Sequence, residues 1–330
     1  MKKNILLFII SITTALLCNV SVLAQEIKNW HKDELSTPDS TVMQDSTAQM
    51  NSSETIDPFE ANDTMFNNDY DFDFGQEWDF HLLSGNPAIS LNFGITKMGI
   101  DKLNSDFAKV NSAEIRIGYM SEKLNHRSSY ITKYKYKYFT FSNTSYELTD
   151  KKEYSGDIRT KMWQFGFGYE NGYGYNLGGA SIIPYHAYGL NWSRLEVKDP
   201  VRNIDDRKYL DYFDDSFRFG LMAEGGIKFR LIPNLSLDAS YQREIVMPRL
   251  MFWKAAGSSA LLAIGQHAID KFVDEVFNSS PAAAPIVNFV LKNALSYGFF
   301  ELRKEKMSWP FETAAPLKYD TFKVGMTFVF

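Results

Sequence analysis

From Pro87 onward, apolar and polar side chains alternate with a period of two in one segment after another, the pattern of strands whose faces meet different surroundings. In the first segment Ile89, Leu91, Phe93 and Ile95 oppose Ser90, Asn92, Gly94 and Thr96; in the second Ala113, Ile115, Ile117 and Tyr119 oppose Glu114, Arg116 and Gly118. A third sets Tyr134, Tyr136 and Tyr138 against Lys133, Lys135 and Lys137, and a fourth sets Trp163, Phe165, Phe167 and Tyr169 against Gln164, Gly166, Gly168 and Glu170. The fifth, 182–197, is apolar on both sides. The sixth places Phe217, Phe219, Leu221, Ala223, Ile227, Phe229 and Leu231 opposite Arg218, Glu224, Lys228 and Arg230. A turn at Ile232-Pro233-Asn234 leads to a seventh strand, 235–246, and the eighth runs from Tyr319 to Phe330. The pattern predicts eight antiparallel strands; the length of 130–148 leaves ten as the alternative.

The period changes between the seventh and eighth strands. Leu261, Ile264, Ala268, Phe272 and Val276 recur at helical spacing, and after Asn278-Ser279-Ser280-Pro281 a second run carries Pro285 in its first turn, then Ile286, Phe289, Val290 and Leu295. A helical hairpin insert is expected within 251–310. Two readings suit it: a cap over one mouth of a barrel or a partner-binding element, and a stabilising insert whose apolar stripes pack on each other.

Alternation alone does not separate a soluble sandwich from a membrane barrel. Strands of ten or more residues match the ~9–11 needed to cross a bilayer, and rows of large aromatics on one face suit lipid better than water. The chain has 18 Tyr and 26 Phe, an aromatic excess that barrels place in interfacial girdles. Residues 1–24 read as a secretory leader, with Lys2 and Lys3, an apolar run from Ile5 to Leu17, and cleavage between Ala24 and Gln25. The single cysteine, Cys18, falls inside it, so the mature chain would carry no thiol. Residues 25–84 form a polar, acidic tail, expected to be disordered in the periplasm. Up to residue 80 the tail holds 14 acids and 2 bases, which leaves residues 81–330 with 31 bases against 26 acids. The remaining domain, 85–330, is expected to be an all-β, antiparallel transmembrane barrel in a bacterial outer membrane, with both termini periplasmic.

The last strand aligns Phe322, Val324, Met326, Phe328 and Phe330 on one face. It resembles the C-terminal signature recognised by the barrel-assembly machinery, which the resemblance implies as a partner. More loosely, residues 75–245 resemble the PorT-like outer-membrane barrels of Bacteroidetes, on the acidic-aromatic run Asp71 to Gly75 leading to Trp78, on Leu91-Asn92-Phe93-Gly94, and on Phe165-Gly166-Phe167-Gly168-Tyr169-Glu170. That family shares a fold more than a function, and the helical insert is not part of the resemblance.

With the apolar faces in lipid, the polar faces line the lumen. A lumenal charge network is expected among Glu114, Arg116, Lys133, Lys135, Lys137, Arg218, Glu224, Lys228, Arg230, Asp238, Glu244 and Lys323. Eight of these are bases and four are acids, so the acidic tail, above all Asp69 to Trp78, could enter as a plug or stay outside the barrel. An eight-stranded lumen is narrow enough for side chains to fill, which disfavours a small channel. No catalytic, cofactor or metal site is assigned. A lipid-acting enzyme would need His186 beside a nucleophile, with Ser181 and Ser193 the nearest candidates in sequence. The function read from the sequence is a non-enzymatic envelope protein, structural, docking or assembly-accessory, acting through its insert and tail. Its partners would be outer-membrane lipid, the assembly machinery and an envelope protein, with no nucleic acid.

Overall fold

A computed structural model describes residues 85–126, 128–148, 158–198 and 203–330. The expected leader, its expected Ala24–Gln25 junction and the acidic segment lie outside the described residues. Eight strands close on themselves: β1 (Asn86–Gly99), β2 (Val110–Asn125), β3 (Ser128–Ser145), β4 (Thr160–Asn176), β5 (Ser181–Val197), β6 (Phe217–Ile232), β7 (Leu235–Val246) and β8 (Leu317–Val329). Every neighbouring pair is antiparallel, including the closing pair β1–β8, which runs from Ala88↔Val329 to Gly99↔Lys318. The backbone N–H of Phe330 donates to the Pro87 carbonyl at 2.9 Å, so the last residue of the sequence belongs to the closing seam.

The segment that left room for ten strands is one strand of 18 residues, β3. The glycine-rich stretch after Glu170 is strand as well. Strand β4 continues to Asn176, and a four-residue turn closed by Leu177 N–H to the Ala180 carbonyl at 2.9 Å follows, with Gly178 at φ 90°. That φ favours glycine.

The connections sort by length. β2–β3, β4–β5 and β6–β7 turn tightly at the end that also holds both strand termini, Asn86 and Val329. The opposite end carries the long connections, among them α1 (Ile204–Leu210), α2 (Phe252–Ser279) and α3 (Ala284–Arg303). Helix α1 is capped at Asn203, whose side chain accepts from the Asp205 N–H.

The helical hairpin does not cap the mouth. It folds back along the outside of the barrel, as its contacts at both ends show. At the tight-turn end, Tyr175 Oη donates to the Ala282 carbonyl at 2.6 Å, and Ile131 packs with Ile269, Val273, Phe277 and Ala284. Near the other end, Arg243 of β7 pairs with Glu301 of α3 at 2.9 Å. The mouth is closed by the β5–β6 connection instead: Leu210 and Phe213 join Ile100 and Ile158 over Met98, Val110, Met162, Leu195, Val246 and Leu317 in one buried cluster. Asp206 of α1 accepts from the backbone and side chains of Asn104 and Ser105, tying this lid to the β1–β2 connection.

Candidate functional site

Strand pairing sets the faces. Register partners share a side of the sheet, so the inward position of Arg116 fixes its partners and theirs around the barrel. Below the apolar lid the lumen holds two polar layers.

The deeper layer centres on Arg116. Its guanidinium donates to Glu170 at 2.6 Å, to Glu224 at 2.6 Å and to Glu114, and it lies 4.6 Å from the centre of the Tyr138 ring. Lys323 pairs with Glu114 at 3.2 Å and with Glu224 at 2.7 Å, while Lys228 pairs with Glu170 at 3.3 Å. Three cations therefore meet three carboxylates, all nearly sealed from solvent. Lys228 is also ringed by Tyr134, Tyr136 and Tyr185 at 5.3, 5.4 and 5.6 Å, an arrangement in which the ring faces attract the ammonium. The hydroxyls of Tyr134 and Tyr185 close the network on Glu170 and Glu224.

The second layer surrounds Glu244. Its carboxylate accepts from Gln164 at 3.0 Å, Asn191 at 2.9 Å and Gln242 at 3.1 Å, and Tyr319 bonds to Gln164 alongside. Each amide supplies a donor that a buried carboxylate requires in place of water.

Of the residues expected in the lumen, Glu114, Arg116, Arg218, Glu224, Lys228, Arg230, Asp238, Glu244 and Lys323 fall on inward positions. Lys133, Lys135 and Lys137 do not, because β3 has the opposite orientation from the one its tyrosines suggested. Tyr138 pairs with Gly118 and Gly168, and a Cβ on Gly168 would come within 2.3 Å of the Tyr138 ring, so that glycine opens the space the ring fills. The tyrosines bring hydroxyls to the buried acids, whereas a lysine on the outer face carries its charge on a long stem that can reach the interface. Two inward acids were left out of the expected network: Glu170, already assigned to the polar face of its strand, and Glu122, which pairs with Arg230 at 2.9 Å. Both continue the polar alternation of their strands, which was the available signal. Eight bases against four acids thus become five against six, and four of the five inward cations, Arg116, Lys228, Arg230 and Lys323, already have carboxylate partners from the barrel itself.

The outer wall holds a second polar grouping. His186, on the outward face of β5, is only 2% exposed, and its Nδ1 lies 3.1 Å from Asn293 Oδ1 of α3. Gly225 makes this approach possible, since a Cβ there would come within 2.4 Å of the same oxygen. Ser181 and Ser193 point the other way, into the lumen, where they bond to Glu122 and Gln164. The nucleophile candidates and the histidine are therefore on opposite faces of one strand. Higher up, Arg243 is held by Glu301 at 2.9 Å, by Asp320 at 3.5 Å and under the Tyr297 ring at 3.8 Å. Between these anchors a cavity of about 200 Å³ separates α3 from β6 and β7, lined by Ala223, Gly225, Tyr241, Phe289 and Tyr297 among others. Phe322, Val324, Met326 and Phe328 form an exposed outward row on β8 that Phe330 continues.

Solved structures of similar shape include Neisserial surface protein A, at 11% identity over 74% of this chain and 97% of that one, with a TM-score of 0.35. Another is the attachment invasion locus protein Ail of Yersinia pestis, at 11% identity over 74% of this chain and 99% of that one, with a TM-score of 0.30. No curated protein matches the chain. The family model described as outer membrane protein beta-barrel domain matches residues 76–247, which spans β1 to β7 and stops before the helical hairpin. On that match, over half of its length, the chain belongs to the outer membrane protein beta-barrel domain family.

Proposed function

We propose that the protein is a closed, non-enzymatic outer-membrane barrel that serves the envelope as an anchor or docking element and carries no solute through its wall. The observation that carries this reading is the lumen. The paired Arg116 with the Lys228 tyrosine cage, the Glu244 layer, and the apolar lid of Leu210 and Phe213 occupy successive levels of a barrel of eight strands. Side chains fill the space a solute would need. Short turns at one end and long connections at the other favour a periplasmic location for both termini, as in bacterial barrels generally. The acidic-aromatic run before the barrel and the Phe-Gly alternation of β4 favour a PorT-like subgroup.

Docking is tested by purifying the tagged full-length protein from its native envelope in mild detergent. A stoichiometric protein that is lost when residues 25–80 are deleted supports the role. A protein recovered alone, with or without those residues, contradicts it.

A further inference from the structure

The hairpin has the polarity of a helix pair in oil. On α3 the exposed positions are Ile286, Val290, Ala294, Tyr297 and Leu302, with no charge among them, whereas Asn288, Lys292, Ser296 and Arg303 are buried. Three of these buried groups, Lys292, Ser296 and Arg303, find partners across the helix pair. Lys292 pairs with Asp270 at 2.6 Å, Gln266 donates to Ser296 at 3.0 Å, and Arg303 donates to Ser258 at 2.9 Å. A helix facing water places these groups the other way round.

Helix α2 shows where such a surrounding ends. From Phe252 to Ala268 every exposed residue is apolar: Phe252, Trp253, Ala256, Ala260, Leu261, Ile264 and Ala268. Beyond it, Lys271, Asp274 and Glu275 are exposed. Phe252 to Lys271 rises about 28 Å at 1.5 Å per residue, close to the ~25 Å apolar band of outer-membrane barrels. Trp253, 83% exposed, marks the other boundary, where aromatic side chains anchor at the membrane surface. Neither helix as a whole is long and apolar enough to cross a membrane; the evidence is the one-sided placement of the polar groups. The wall beneath gives the independent half of the argument. His186 and Arg243 are polar residues in largely apolar outward rows of their strands; α3 supplies Asn293 to the first and Glu301 to the second, and Arg243 in turn pairs with Asp320.

We infer that the α2–α3 hairpin lies within the bilayer beside the barrel, shielding a polar strip of its wall and presenting Leu261, Ile264, Ile286 and Val290 to acyl chains. This surface is continuous with the exposed band of Phe229, Leu237, Phe322 and Val324 on the neighbouring strands, which is why lipid is its occupant. The inference rests on the outer-membrane reading of the barrel.

Fluorophores on single cysteines test it in the full-length protein, with Cys18 replaced by serine, reconstituted in phosphatidylcholine vesicles. Ile264→Cys and Val290→Cys report on the hairpin, Ala294→Cys replaces the latter if it blocks folding, Phe167→Cys reports on the barrel band, and Glu275→Cys reports on the hairpin tip. The expected result is loss of most fluorescence to acyl-chain nitroxides at 264, 290 and 167, with quenching at 275 only by a water-soluble quencher. Aqueous quenching at 264 and 290 while 167 answers to lipid overturns the inference alone. Aqueous quenching at 167 as well overturns the barrel reading. Protection of 290 from both quenchers, with disulfide-linked dimers forming through that cysteine, assigns the face to a second copy and also overturns the inference.

Discussion

Replacing Arg116 with methionine tests whether the lumen is a dry, paired network. The wild-type cluster balances Arg116, Lys228 and Lys323 against Glu114, Glu170 and Glu224. Arg116→Met keeps much of the volume but leaves two ammonium groups to serve three carboxylates, with Glu170 and Glu224 losing contacts of 2.6 Å. Removing one partner of a buried ion pair costs about 3–5 kcal/mol, because the other charge stays buried. At about 1.4 kcal/mol per tenfold change, the folding equilibrium falls by roughly two to four orders of magnitude. Adding Glu224→Gln restores two against two and should recover at least half of the loss. Urea titration of the vesicle-inserted protein, followed by the heat-modifiable gel band, measures both variants. A loss below about 1 kcal/mol, the range of solvent-exposed pairs, or a double variant no better than the single one, refutes a dry network.

Arg243→Ala removes the clamp formed with Glu301, Asp320 and Tyr297; the hairpin should become protease-sensitive around 278–283 while the barrel keeps its heat-modifiable band. Gly225→Leu should produce the same release by displacing Asn293, and resistance to protease in both variants contradicts the clamp. Burial pushes the Asp206 carboxyl up, but the hydrogen bonds from Asn104 and Ser105 outweigh it and hold it below its usual 3.8. A depressed carboxyl contributes stability above its unfolded value and loses it as pH falls through the folded one. Limited proteolysis should therefore find the β1–β2 connection protected at about pH 6 and opened only below about pH 3.8, and equal cleavage at both refutes the tie. Deleting Phe330 should slow assembly in cells more than Tyr319→Phe, since the terminal residue lies in the closing seam and Tyr319 is a lumenal hydrogen-bonding group. Normal accumulation of the truncated, folded protein contradicts that role.

Most of the barrel was legible because lipid and lumen ask opposite things of alternate residues, and six strands state the answer as apolar against polar or glycine positions, while β5 is apolar on both sides. β3 misled because both of its faces are amphipathic. Tyrosine suits a lipid interface and a buried hydrogen-bond network equally well, and the glycine that makes room for Tyr138 sits on β4, out of reach of any reading of β3 alone. The two helices of the insert were legible as periodic stripes, but their position was not, because a stripe does not say whether its apolar side is covered by protein or by lipid. Two signals bore on it. Asn288, Lys292 and Ser296 recur every four residues on a mostly apolar helix, and His186 and Arg243 interrupt outward rows of apolar residues. A polar residue on a lipid face calls for a cover, and here the chain supplies one.

The most direct test of a filled, capped lumen is the current carried by the purified full-length protein in planar bilayers. The ion pairs of Arg116, Lys228 and Lys323 beneath the lid of Leu210 and Phe213 predict a membrane that stays at baseline at every voltage it survives. Sustained, stepwise conductance that scales with inserted protein would contradict the account.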